Sequence, residues 1–75
     1  MNKAMAKKVN NLIDKITELT EQLTEIKDTL QEQYDNMSEK RQEGEAGEKL
    51  QEEIDKLDEL ITNLEYADDA RPESA

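Results

Sequence analysis

Five carboxylates, Glu45, Glu48, Glu52, Asp55 and Glu59, recur three and four residues apart, the spacing that places side chains along one flank of a helix. A row of this kind admits three chemistries. Paired carboxylates act as general acid and base where a concave, partly buried site separates their pKa values. Neighbouring carboxylates hold a hard cation, and Asp55, Asp58 and Glu59 are close enough in sequence to share one, although no stretch has the spacing of a calcium loop. A rigid line of negative charge also imitates a nucleic-acid backbone and enters clefts built for one, by electrostatic steering.

The first two chemistries are poorly supplied. The chain contains no Cys and no His, hence no thiol nucleophile, no imidazole base and neither thiolate nor imidazole to hold a metal. It has no Gly-rich phosphate loop, and neither Trp nor Phe to line a pocket. The expectation is no catalysis, no cofactor and no metal site. Glu52-Glu53 and Asp58-Glu59 read first as solvated helix faces, where Glu favours helix and solubility.

The elements that position these groups follow from apolar spacing. Val9, Leu12, Ile16, Leu19, Leu23, Ile26 and Leu30 alternate three and four apart, a heptad seam. Val9, Ile16, Leu23 and Leu30 take the a positions, and Met5, Leu12, Leu19 and Ile26 the d positions. Ile13 and Tyr34 lie beside the seam and widen it beyond a minimal two-stranded interface. Leu50, Ile54, Leu57, Ile61 and Leu64 repeat the pattern later, with Leu60 flanking it. Between them Met37 is the one large apolar residue, and Gly44 and Gly47 each cost a helix interior about 1 kcal/mol relative to Ala.

The predicted organisation is therefore a long amphipathic helix over 1–35, a turn over 36–46, a second amphipathic helix over 47–67 and a frayed acidic tail over 68–75. Asn36 and Ser38 are candidate caps, with Asn36 and Glu39 spaced like a capping box, so a short helical turn is expected inside the loop. Pro72 biases the residue before it away from helix. The fold class expected is all-α, an antiparallel two-helix coiled-coil hairpin that self-associates into a helical bundle. In such a hairpin the numbers of facing residues have a constant total. A total of 80 pairs Leu30 with Leu50, Ile26 with Ile54, Leu23 with Leu57, Leu19 with Ile61 and Ile16 with Leu64, and is favoured over a total of 73, which sets Ile26 opposite Gly47 and Leu30 opposite Glu43.

The favoured register leaves Met5, Val9, Leu12 and Ile13 uncovered, and Ile16 at the edge of cover. Each buried apolar side chain is worth about 1.5–3 kcal/mol. These residues are the candidate self-association surface of a homodimer or higher oligomer. A 75-residue chain without disulfide or metal needs such help.

Charge constrains partners. Residues 1–16 hold four lysines against Asp14, a net +3, and residues 17–75 hold six basic against nineteen acidic side chains, a net −13. A body this acidic argues against direct binding of nucleic acid or anionic lipid along its length. No apolar run approaches the ~20 residues of a membrane span, and a cytoplasmic location is the default expectation. Lys3, Lys7 and Lys8, interleaved with Met1, Ala4, Met5 and Val9, form a basic head. It is a weak membrane-surface signal, and it suits the acidic body of another protomer better.

Tyr34-Asp35-Asn36-Met37-Ser38-Glu39, followed by Gln42-Glu43-Gly44-Glu45-Ala46-Gly47-Glu48-Lys49-Leu50 and a Glu/Ile/Leu-rich helix, resembles a pattern in small acidic helical-hairpin proteins of bacteriophages and bacterial mobile elements. In those proteins the position of Ser38 is commonly Pro and that of Gly44 often Ser. The resemblance spans residues 34–66 and implies a hairpin of phage or bacterial origin. It carries no activity and no functional residue.

Two functions are thus expected in order. The first is a non-catalytic protein–protein interaction module that associates with itself. The second is an acidic, phage-type inhibitor that mimics the nucleic-acid backbone and blocks a nucleic-acid enzyme of a bacterial host, using the row from Glu45 to Glu59. A structural piece of a larger particle ranks third.

Overall fold

The computed structural model describes residues 1–72. They form three α-helices, α1 (Lys3–Asp35), α2 (Glu39–Glu43) and α3 (Glu45–Glu65), and a 3-10 helix (Tyr66–Ala70), with no strand among the described residues. The molecule is a rod with extents of 58 × 14 × 12 Å.

Helix α1 runs 33 residues because neither Gly nor Pro interrupts it. The Asn2 side chain accepts a hydrogen bond from the Met5 amide at 2.8 Å and caps its first turn. At the other end Asn36 closes the helix, its N–H donating to the Glu32 carbonyl at 3.0 Å. Asn36 is therefore a C-cap, and the expected capping box with Glu39 does not form. Ser38, in extended conformation, caps α2 instead, accepting from the Arg41 amide.

The turn is held by polar and steric contacts. Gln42 donates from Nε2 to the Tyr34 carbonyl at 2.8 Å, tying α2 to the end of α1. Gly44 separates α2 from α3 in extended conformation and offers no side-chain cap. Gly47 is buried where α3 crosses α2. A Cβ there would stand 2.6 Å from the Arg41 carbonyl oxygen and closer still to that of Gln42. Only a residue without a side chain permits this approach of two backbones.

Helix α3 lies along α1, and the cross-helix ion pairs come in reverse order. Lys27 meets Asp58 at 2.9 Å and Asp14 meets Arg71 at 2.6 Å, so the residue numbers in each pair total 85.

The core departs from the expected register. Its buried side chains are Ala6, Ile13 and Thr20 from α1, and Ile54 and Ile61 from α3. On α1 these positions are seven apart, and the series continues through Lys27 and Tyr34, both half-buried. Leu19 and Ile26, expected opposite Ile61 and Ile54, are instead 54% and 51% exposed. The apolar stripe of α1 is three heptad rows wide, and α3 covers one edge row together with half of the middle row, Val9, Ile16, Leu23 and Leu30. Ile13, read in the sequence as uncovered, is 5% exposed and belongs to this internal core.

The C-terminal segment also differs from a frayed tail beginning at residue 68. Tyr66–Ala70 is a 3-10 helix, and Arg71 fastens it through Asp68 and Asp14, both at 2.6 Å. Arg71 itself has extended backbone, φ −59° and ψ 129°, as Pro72 requires. Glu73, Ser74 and Ala75, the rest of the expected tail, lie outside the described residues.

The two turn glycines give a contrast. Gly47→Ala forces α2 and α3 apart and is expected to cost about 1–3 kcal/mol, the range for overpacking. Gly44→Ser, whose Cβ would meet nothing closer than 3.4 Å, adds the missing cap and is expected to stabilise by a few tenths of a kcal/mol. Thermal and urea unfolding followed by circular dichroism measure both.

Candidate functional site

With the core placed, the remaining surface of α1 divides about Ile13. At about 100° per residue, Asp14 lies roughly 100° to one side of Ile13 and Leu12 roughly 100° to the other. The two edges have opposite chemistry.

The Asp14 edge is polar and closed by ions. Arg71 donates from Nη2 to Asp14, from Nε to Asp68, and from Nη1 to Asn10 at 3.5 Å. Lys27, a lysine in the internal row, lays its stem along the seam and reaches Asp58 at the surface. Its pKa is raised from 10.5, chiefly by that hydrogen bond and then by the charges of Asp58, Asp28 and Glu65, with partial burial opposing. Arg71 is likewise pushed up from an already high value, by its hydrogen bonds to Asp68 and Asp14.

A shallow groove of about 520 Å³ runs along this edge, lined by Thr17, Thr20, Glu21, Thr24, Glu65 and neighbours. The three threonine hydroxyls are already committed, each donating to the carbonyl four residues back, at 3.2, 2.7 and 2.9 Å. The groove therefore presents carboxylates and methyl groups, and its hydroxyls have no free proton to offer.

The Leu12 edge is apolar and open. Met5, Leu12, Leu19 and Ile26 are 52%, 57%, 54% and 51% exposed. They form a straight row one heptad apart, bordered by the half-buried Val9, Ile16, Leu23 and Leu30. On α3, Leu50, Leu57 and Leu64 are half-buried on one side of the Ile54–Ile61 core row, and Leu60 stands exposed beyond them. Because α3 both faces α1 and meets it in reverse order, the residues just before a core position lie on the same edge of both helices. Leu12 and Leu60 thus belong to one face of the molecule. The large apolar side chains exposed on the described residues other than Met1 and Tyr66 thus lie on this one face.

Of the expected self-association residues, Met5 and Leu12 lie fully on this face and Val9 and Ile16 at its inner margin, while Ile13 is excluded from it. Leu19 and Ile26 join it, although their heptad spacing places them in the expected internal seam. The signal that distinguishes them was present: Ala6, Ile13, Thr20 and Tyr34 form a second row of period seven beside the first.

The acidic row survives as a row. Glu45, Glu48, Glu52, Asp55 and Glu59 are all exposed on the side of α3 turned from α1, and none takes part in an ion pair among the described residues. No group of three or more potential metal ligands converges among the described residues. Among the described residues no helix is long and apolar enough to cross a membrane.

The Lys27–Asp58 pair has a defined pH signature. A raised lysine pKa means the folded state holds the proton more tightly, so the contribution is complete below pH 10.5 and is lost as pH rises through the higher folded value. Stability is expected to be insensitive to this pair through neutral pH and to fall above about 10.5, and Lys27→Met is expected to remove that alkaline step from a pH series of urea midpoints. Arg71→Gln is expected to speed amide exchange across Tyr66–Ala70 while leaving the global midpoint nearly unchanged, since exposed ion pairs contribute little to global stability. No family model matches this chain, and neither a curated protein nor a solved structure gives a significant match.

Proposed function

We propose that the chain is an antiparallel two-helix coiled-coil hairpin whose function is non-catalytic: it is a protein–protein interaction module that associates with itself. The observation that carries the reading is the row Met5–Leu12–Leu19–Ile26, four large apolar side chains each about half exposed at heptad spacing. A helix that lies alone on water fills its outer positions with polar residues, as α1 does at Glu18, Glu21, Glu25 and Asp28. Leaving four large apolar residues in line is costly unless a second helix covers them.

A specific observation favours a second reading. Five exposed and unpaired carboxylates follow one flank of α3 for about 21 Å at 1.5 Å per residue. That array suits a basic cleft, so the alternative is an acidic inhibitor of a bacterial host's nucleic-acid enzyme, acting as a backbone mimic. Helix propensity and solubility account for the same glutamates without a partner, which keeps this reading second.

The readings separate by salt and by mutation. Self-association through the apolar row makes the melting temperature rise with protein concentration. Leu12→Asn with Leu19→Asn is expected to abolish that dependence while keeping the helical circular dichroism spectrum. Ile13→Asn is expected to unfold the chain instead, because it inserts an amide into the core. If the double variant keeps the concentration dependence of wild type, association does not use this row. For the alternative, capture of one nucleic-acid enzyme from nuclease-treated bacterial lysate, lost between low and moderate salt and lost again in a variant with Glu48, Glu52 and Asp55 changed to Gln, Gln and Asn, would place the acidic row above the apolar one.

A further inference from the structure

The exposed row also specifies how two copies meet. Resting on the self-association reading, we infer that the row is covered by the same row of a second copy laid antiparallel, Met5 against Ile26 of the partner subunit and Leu12 against Leu19 of the partner subunit. The two-fold axis then passes beside Lys15 and Ile16.

Self-complementarity is the first argument. With positions seven apart, facing numbers that total 31 pair all four exposed apolar residues with one another and leave none over. The half-buried margin follows at a total of 32, with Val9 beside Leu23 of the partner subunit and Ile16 near its symmetry mate. Helix α3 is a poorer occupant. Its corresponding edge row is Ala46, Glu53 and Leu60, which would set Glu53 against an apolar side chain.

Charge decides between the two directions. A parallel, in-register pair also gives four apolar layers, but it turns the charged flanks of the two copies to opposite sides of the contact, where neither meets the other. Along α1 the row is flanked by Lys8 and Lys15 in its first half and by Glu18 and Glu25 in its second. An antiparallel pair brings Lys8 beside Glu25 of the partner subunit and Lys15 beside Glu18 of the partner subunit, both at a total of 33 and both repeated by symmetry. The two Lys15 side chains nearest the axis are each reached by one of these glutamates. The helix ends agree. Helix α1 has no acidic residue in its first turn and no basic residue in its last, so the charges near each end oppose the macrodipole. An antiparallel copy sets the acidic end of one α1 along the basic end of the other.

The absence of native cysteine makes the direction measurable. Lys8→Cys and Gln22→Cys, both at exposed polar positions flanking the row, are made separately, mixed and oxidised in a glutathione buffer. Disulfides form only where Cα atoms approach within about 7 Å. The expected result is a mixed disulfide between the two variants, with neither variant cross-linking to itself. A self-disulfide of a third variant, Leu12→Cys, would overturn the inference in favour of a parallel pair, the direction that sets Leu12 on its own copy, and no disulfide from any of the three in a protein that sediments as a dimer under reductant would overturn it in favour of another face. A monomeric mass under reductant, for these variants and for wild type, would overturn the self-association reading along with it.

Discussion

The width of the apolar stripe on α1 is the constraint from which the rest of this molecule follows. Three heptad rows, Ala6–Ile13–Thr20, Val9–Ile16–Leu23–Leu30 and Met5–Leu12–Leu19–Ile26, cover about 100° of helix surface. A single neighbouring helix of 21 residues covers about half of that arc and part of its length. One edge must therefore be buried internally and the other left for something else. The turn helps decide which, because Gly47 against the α2 backbone and Gln42 against the Tyr34 carbonyl fix where α3 starts relative to α1.

The edge chosen for the interior is the more polar one, and each polar group in it is answered. Thr20, 8% exposed, donates its hydroxyl to the Ile16 carbonyl of its own helix. Lys27 carries its charge out to Asp58, and among the described residues no buried side-chain nitrogen or oxygen lacks a partner. Such an interior specifies register at a modest cost in burial. It also keeps the purely apolar row outside, where four large side chains offer a partner more than the internal row offers α3. The same logic places the carboxylates: Glu45, Glu48, Glu52, Asp55 and Glu59 occupy the far side of α3, where they do not disturb the seam and form no ion pair among the described residues.

Much of this was legible in the sequence, because long uninterrupted heptads, two glycines three apart and a Ser before a charged turn each have one local meaning. Helix α1, the turn and α3 follow from those signals. The choice of seam does not. Val9–Leu12–Ile16–Leu19 is the stronger apolar repeat, and local spacing favours it over a row containing Thr20 and Lys27. What selects the weaker row is tertiary: the close approach at Gly47 and the tie of Gln42 to the Tyr34 carbonyl fix where α3 starts, and the exposed clasp of Arg71 on Asp14 follows that choice 57 positions away. Arg71 carried no sequence signal beyond its place before Pro72, and Asn36 satisfies the rule for an N-cap while its backbone closes a helix. On the candidate site, Met5 and Leu12 were identified by their distance from α3, whereas Leu19 and Ile26 were hidden by being assigned to the interior.

The rod finishes its own fold along one edge of α1, and the proposed function requires a copy of itself on the other. Sedimentation equilibrium of the unmodified protein over a range of concentrations tests this most directly. A weight-average mass rising to at least twice 8.7 kDa, with little dependence on salt, is the predicted result. A mass of 8.7 kDa at every concentration would show that the row Met5–Leu12–Leu19–Ile26 stands uncovered in solution, and would contradict self-association as the purpose of that face.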